Sequence, residues 1–214
     1  MRTYIVFLGM LSMFGVEQTV WNWDFDNLPQ GKLPPGWKIE ATGQSRPSAK
    51  WEVVMDREAP LGPGVLALSA TNHNERGVFN LCWTDKVQFL EGQIAVFIKA
   101  RSGQIDQGGG PIWRVKDRNY YYISRYNPLE KNVSIYYVKD GKRIMLAYSG
   151  TIDLKDGWHV FKIRHQGDRI RAYIDGEMML MANGGDYIEE PGGVGLWTKA
   201  DAATSFDNFT VVPF

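Results

Sequence analysis

The chain is almost without cysteine: Cys82 is the only one in 214 residues. A single thiol excludes an internal disulfide. The lack of any Cys-x-x-Cys or His/Cys cluster argues against a structural zinc site. Cys82 lies in the apolar run "VFNLCW", where a buried, inert thiol is expected. Net charge is missing too, because 24 acidic and 24 basic residues cancel. No strong field is present to steer the protein to nucleic acid or to an anionic membrane. Helix signals are sparse. No interdomain linker, internal repeat or second domain is visible.

The one apolar run that stands apart is at the N-terminus. Arg2 gives a basic start, and Tyr4 to Phe14 is uncharged and largely apolar. It is too short to span a bilayer comfortably, so residues 1–18 read as an export signal with a weak cleavage site near Gln18, Val16 lying three positions before the new N-terminus. A buried strand is the alternative. An exported protein with one cysteine must rely on its core for stability. That core would belong to residues 19–214, a single domain exported to the periplasm or the exterior, with no membrane span once the signal is removed.

The chain is rich in 8 Trp, 10 Tyr, 10 Phe and 23 Gly, a mixture that suits strands joined by tight turns. Short runs such as "VWNWDF", "KWEVVMD" and "GVLALSA" are separated by turn residues, and "GQIAVFIKARSG" alternates as a half-buried strand. Asp140-Gly141 marks a type I′ hairpin turn, and Asp175-Gly176 turns the next strand pair. About a dozen short strands predict an all-β antiparallel sandwich.

The stretch "GGPIWRVKDRNYYYISRYNPLE" (109–130) concentrates rings and guanidinium groups. A core favours the rings and a solvated edge favours the arginines. A sugar-binding surface favours both, which makes a carbohydrate ligand the expected partner. Register decides which residues share a face. A three-residue hairpin loop sets Trp113 and Val115 across from Tyr121 and Ile123, leaving Arg114, Tyr120, Tyr122 and Tyr126 on the other face. A two-residue loop sets Arg114 beside Tyr121. The first sorts polarity better, but it turns Arg125 inward, where Glu130 is the candidate partner. Arg125, Asn127 and Glu130 are then either a ligand cluster or an internal brace. In "GGVGLWTKA", alternation puts Val194, Leu196 and Thr198 on the core face and Gly195, Trp197 and Lys199 outward. An outward Trp beside a glycine would offer a sugar platform, unless a loop covers it.

Three stretches, "GGPIWRVKDRNYYYISRYNPLE", "GWHVFKIRHQGDRIRAYIDGE" and "GGVGLWTKADAATSFDNFTV", together resemble bacterial exported domains of the concanavalin A-like lectin/glucanase type. Closest is the group of 3-keto-disaccharide hydrolase domains, loosely described as glycoside hydrolase family 16-like. The resemblance covers residues 20 to 212 and implies a two-sheet jelly roll whose concave sheet holds the ligand. By position, Arg114 matches the family's arginine, and Trp197 and Lys199 lie where the family places polar site residues. In a hydrolase, Arg114 and Lys199 would stabilise developing negative charge and Trp197 would stack on the sugar, while Trp113, Tyr122, Arg125 and Asn127 are further candidates for the binding surface. The chain departs from the family's "Asn-Ser-Gly-Ile" stretch with "Gly-Gly-Pro-Ile" (109–112). Gln107 is the candidate for the missing amide.

A hydrolase needs an acid and a base. The paired glutamates of family 16, Glu-x-Asp-x-x-Glu, are absent, as is a Gly-x-Ser-x-Gly elbow. Glu130 or Asp201 is left as the candidate acid/base. A non-catalytic lectin-like module is the alternative, and a cell-surface interaction sandwich without a sugar ligand is a further one. His159 and His165 read as satisfied core-strand histidines, and His73 as a loop residue able to reach a cleft rim. No cofactor is expected beyond a possible structural calcium. Asp207 in "SFDNF", with backbone oxygens near Asp24, could hold it where first and last strands meet; a plain strand-end hydrogen bond is the alternative.

Overall fold

The computed structural model describes residues 2–4, 19–43, 49–70 and 77–214. Among them there is no helix, and none long and apolar enough to cross a membrane. The strands are β1 (Arg2–Tyr4), β2 (Val20–Trp23), β3 (Lys38–Thr42), β4 (Lys50–Met55), β5 (Gly64–Ala70), β6 (Phe79–Phe89), β7 (Gly92–Ser102) and β8 (Gly110–Asp117). They continue as β9 (Tyr120–Asn127), β10 (Asn132–Lys139), β11 (Lys142–Tyr148), β12 (His159–Gln166), β13 (Arg169–Ile174), β14 (Glu177–Asn183), β15 (Gly192–Lys199) and β16 (Ala203–Pro213). Residues 5–18, most of the expected export segment, lie outside the described residues, as does His73. Arg2–Tyr4 pairs with β2.

Two antiparallel sheets form a sandwich. One runs β1-β2-β16-β7-β12-β13-β14, with β4 and β5 joining through β16. The other runs β11-β10-β9-β8-β15-β6-β3. The expected all-β jelly-roll sandwich is therefore the fold, built from more strands than the dozen foreseen. Hairpins explain much of the connectivity. At 140–141 and 175–176 both turn residues have positive φ, 52° and 72° in the first and 52° and 87° in the second. Asp-Gly adopts that conformation at little steric cost, which fixes a type I′ turn.

Alternation builds the core. Val194 and Leu196 from β15 meet Ile94, Val96, Ile98, Phe161 and Ile163 from β7 and β12, with Trp113, Tyr122 and Phe206 in the same cluster. Burying such side chains stabilises by about 1.5–3 kcal/mol each. The seven-stranded sheet also has an apolar outer face. Phe79, Leu81, Trp83, Ile112, Val115, Tyr121, Ile123, Tyr136, Val138 and Trp197 form a second buried cluster.

The 110–127 hairpin follows neither expected register. Asp117 pairs with Tyr120, so the loop has two residues, but Trp113 pairs with Tyr122 and Ile112 with Ile123. Two extra residues of β8 are absorbed between these pairs. Arg114 takes a left-handed φ of 48° there, the mark of a bulge. The bulge sends Trp113 and Tyr122 together into the core, where their rings stack at 5.6 Å. Ile112, Val115, Tyr121 and Ile123 go to the outer cluster.

Trp113 Nε1 donates to His165 Nδ1 at 2.8 Å, and His165 Nε2 faces the Gly167 carbonyl at 3.2 Å. Nδ1 must accept, so the proton sits on Nε2 and the ring is neutral. Burial, helped by the nearby Arg114 charge, pushes the His165 pKa down to about 3. In the unfolded chain the ring titrates near 6.5. Its stabilising contribution is thus complete above that pH and declines as pH falls toward 3, at about 1.4 kcal/mol per pH unit. Denaturant melts across this window should show that slope in the wild type and a weaker one in His165→Gln. Equal slopes would refute a buried neutral histidine.

Candidate functional site

Alternation and pairing place several polar side chains on the outer face of the seven-stranded sheet. Arg125 and Asn127 come from β9, Asn132 from β10 and Lys199 from β15. β8 separates the two cationic strands, so their charges need a counter-charge from elsewhere. The loop 103–108 supplies it through Asp106, a carboxylate only 1% exposed. Lys199 Nζ lies 2.8 Å from Asp106 Oδ2, Arg125 Nη1 at 3.1 Å, and Asn127 Nδ2 donates to Oδ1 at 2.9 Å. On its other side Arg125 pairs with Glu130. The Glu130 amide donates to Asn127 Oδ1 at 3.1 Å, and Asn132 Nδ2 donates to the Glu130 carboxylate at 3.2 Å. Arg125, Asn127, Glu130 and Lys199 are thus brought together, with Asp106 at the centre.

Asp201 stands one step behind. Its carboxylate accepts the backbone N–H groups of Gln104, Ile105 and Asp106 at 2.6–3.1 Å. It clamps the loop that carries Asp106. Burial raises the Asp201 pKa, but those three donors outweigh it and leave the group below the usual carboxylate range. Glu130 behaves alike: burial raises it, and Arg125 with Asn132 lowers it further than that. Both carboxylates are held as anions, the reverse of what a general acid needs.

Three expected site residues face away from this network. Trp113, Arg114 and Tyr122 point to the core side, and Arg114 and Tyr122 together hold the loop 184–191. Arg114 donates to the carbonyls of Leu90, Gly185 and Ile188, the first at 2.8 Å. Tyr122 donates to the Gly184 carbonyl at 2.9 Å and accepts the Ile188 amide at 3.1 Å. The expectation that Arg114 and Trp197 share one trough is corrected: the bulge at Arg114 turns its guanidinium to the opposite face. Gln107 is elsewhere too. Its amide donates to the Gly103 carbonyl at 2.9 Å, beside a separate cleft lined by Lys99, Arg101, Tyr126, Lys155 and His159. His159 is fully engaged there, by Asp175 at 2.7 Å and the Lys155 carbonyl at 2.8 Å.

Trp197 has the expected face but not the expected exposure. It shares the outer side with Lys199 yet is 0% exposed. Its Nε1 donates to Tyr121 Oη at 3.2 Å and its ring packs on Phe79 at 5.3 Å. The glycines beside it leave no open ring face either. A Cβ on Gly193 would lie 2.7 Å from the Trp83 ring, and one on Gly195 2.4 Å from Trp83 Cβ. Trp83 occupies that space.

Sequence reasoning missed the accessible residues of this face. Tyr148 pairs with Ser134, Met145 with Tyr136 and Arg143 with Val138, so all three project outward from the edge strand β11. Tyr148 is 52% and Met145 53% exposed. The Arg143 guanidinium lies 4.3 Å from the Tyr136 ring centroid. The alternation in "KRIMLAY" carried a signal for these positions, but a bulge between Ile135 and Tyr136 breaks it.

Asp207 sits on the other sheet, at a fork. Residues Thr204–Phe206 of β16 pair with β5, and Phe209–Val211 pair with β2. Asp207 Oδ2 accepts the Leu61 amide at 3.3 Å, while Oδ1 is buried with no partner. Burial, with some contribution from Asp26 and Asp24, pushes its pKa up to about 6. Among the described residues no three His, Cys, Asp or Glu are grouped as metal ligands. Carbonyl oxygens would have to complete a calcium shell. An orphaned carboxylate oxygen at the meeting of β2 and β16 fits such an ion.

Removing Asp106 tests the network. Asp106→Asn leaves Arg125 and Lys199 short of a buried counter-charge and should cost about 3–5 kcal/mol, read by thermal or urea melts. A loss under about 1 kcal/mol would mean that water replaces the carboxylate.

No family model matches the chain, and no curated protein is similar to it in sequence. Its solved neighbours share the fold. Carbohydrate binding module CBM66 from Bacillus subtilis superposes with a TM-score of 0.60 at 19% identity, covering 82% of this chain and 95% of that one. The laminarinase catalytic domain from Thermotoga maritima gives 0.57 at 15%, covering 91% and 97%. The Bacillus licheniformis β-glucanase gives 0.53 at 14%, covering 91% and 98%. The chain therefore has the concanavalin A-like jelly-roll fold.

Proposed function

We propose that this is an exported carbohydrate-binding sandwich whose ligand lies on the outer face of the seven-stranded sheet, against β11 and the Glu130 end of the polar network. The observation that carries the reading is the shared face. A half-exposed Tyr148 ring and the Met145 side chain lie beside a prearranged set of charged and amide groups. Pyranose C–H bonds pack on such a ring, and fixed donors and acceptors take the hydroxyls. Solved neighbours titled as a carbohydrate-binding module, a laminarinase and a β-glucanase support this ligand class.

Binding without turnover is favoured by electrostatics. Glu130 is held anionic by Arg125, and Asp201 is committed to three backbone amides. Neither is poised to protonate a leaving oxygen. Calorimetry against a panel of β-glucan, arabinan and fructan oligosaccharides, with ordinary and 3-keto disaccharides, is the test. At least one should bind, Tyr148→Ala should weaken it tenfold or more, and no product should be released. Product release would select hydrolysis instead. A folded protein that binds none would overturn the reading.

We also propose that Asp207 holds a structural calcium with carbonyls from the strands around it. Its orphaned oxygen and the carboxylates of Asp24 and Asp26 nearby support the assignment. Millimolar calcium should raise the melting temperature and excess chelator reverse it, by RT ln(1 + [L]/Kd) in stability. Asp207→Asn should abolish the difference. An unchanged melting temperature in calcium would remove the ion.

A further inference from the structure

We propose that the outer-face site is built for an anionic sugar, one bearing a carboxylate or a sulfate ester, and that Arg143 receives the anion. The inference rests on the glycan reading above and names the chemical class of its ligand.

Three cations, Arg125, Arg143 and Lys199, stand in or beside the polar network, where the carboxylates are Asp106 and Glu130. Farther along the same face Lys38 pairs with Asp85, and Glu40 accepts the Trp83 indole N–H. The pairing is uneven. Arg125 touches both carboxylates and Lys199 touches Asp106. Among the described residues no carboxylate lies within ion-pair distance of Arg143, and its Nη1 is enclosed without a hydrogen-bond partner. Arg143 is therefore the cation beside this network that has no carboxylate of its own. A second donor is also unused: Arg125, whose side chain is only 3% exposed, leaves Nε without a partner.

Aromatic rings hold Arg143 in place. The guanidinium lies 4.3 Å from the Tyr136 centroid, 5.1 Å from Phe79 and 6.0 Å from Trp197. A guanidinium stacked face-on against rings keeps its N–H groups at the edge of the plane. Burial above all, and then the Arg125 charge, disfavour the cation, an effect that Tyr136 and the Asp106 charge offset only in part, yet a guanidinium does not deprotonate in a protein. An incoming anion relieves that cost. A carboxylate or sulfate matches the fork with two parallel N–H···O bonds. Tyr148 and Met145 on the same strand would carry the ring of the sugar.

The test uses the whole protein and matched ligands: trigalacturonic acid, its fully methylated ester, and a galactose disaccharide with and without a 6-sulfate. Calorimetry at low and raised salt reads the affinity. The charged form of at least one pair should bind tenfold or more tighter than its neutral partner and weaken with salt. Which pair shows the preference separates carboxylate from sulfate. Arg143→Gln should erase the preference, whereas Tyr148→Ala should weaken charged and neutral forms alike. Should Arg143→Gln fail to fold, Arg143→Lys keeps the charge but not the fork, and should retain salt dependence with a several-fold loss. Equal affinity for charged and neutral partners in the wild type overturns the anion proposal and leaves glycan binding standing. Binding to none of these ligands, nor to the wider panel, overturns both.

Discussion

The buried carboxylate of Asp106 is the constraint on which the outer face depends. Arg125 and Lys199 project from strands that are not neighbours, since β8 runs between them. Neither strand offers a counter-charge of its own at that level. Without a carboxylate from a loop, two desolvated cations would face each other across Gly110, at a cost of several kcal/mol. The loop 103–108 brings Asp106 in, and Asp201 fixes the loop by accepting three of its amides. The dependence runs in one direction: Asp201 orders the loop, the loop places Asp106, and Asp106 sets Arg125, Asn127 and Lys199. Arg125 then fixes Glu130. Position and charge of the one accessible carboxylate are thus decided by a residue three steps away.

The same sheet carries a second constraint, because both of its faces are apolar. An ordinary sandwich strand alternates between core and water, whereas β8 and β9 alternate between two buried clusters. A bulge is how the chain meets this demand. Left-handed Arg114 lets Trp113 and Tyr122 enter the core while Ile112, Val115, Tyr121 and Ile123 build the outer cluster. Its guanidinium then reaches the loop 184–191 and ties it down. Arg114 therefore acts as a structural fastener, on the opposite side of the sheet from Lys199.

Sequence pattern made the architecture legible, and the site only in part. Turn chemistry at Asp140-Gly141 and Asp175-Gly176 fixed two hairpins, and alternation in "GGVGLWTK" put Trp197 and Lys199 on the correct face. The partnership of Arg125 with Glu130 followed from the cost of burying an unpaired guanidinium. The hairpin register did not follow, because a bulge adds residues to one strand without altering either strand's own pattern. Exposure of Trp197 was equally hidden. Its cover comes from Trp83 and Phe79 of β6 and Tyr121 of β9, and no local spacing encodes that. Asp106 sits in "GQIDQGGG", a stretch without periodicity, so nothing in the sequence tied it to two distant cations.

Among the described residues, four ionisable side chains keep a buried atom without a hydrogen-bond partner: Arg125, Arg143, Arg164 and Asp207. Arg164 is served in other ways, by Gln166 at 3.1 Å and by the ring of Phe214. The remaining three divide by sheet and by sign. Arg125 and Arg143 are donors on the outer face of the seven-stranded sheet, and Arg143 has no carboxylate partner among the described residues. Asp207 is an acceptor at a fork in the other sheet, close to two further carboxylates. Orphaned neutral groups such as the Trp37 and Trp51 indoles cost modest amounts, and water can serve them. Orphaned charge is more expensive. The two proposed sites would take complementary species, an anion on one face and a cation on the other, each argued from a buried charged group left without a partner rather than from the fold they share.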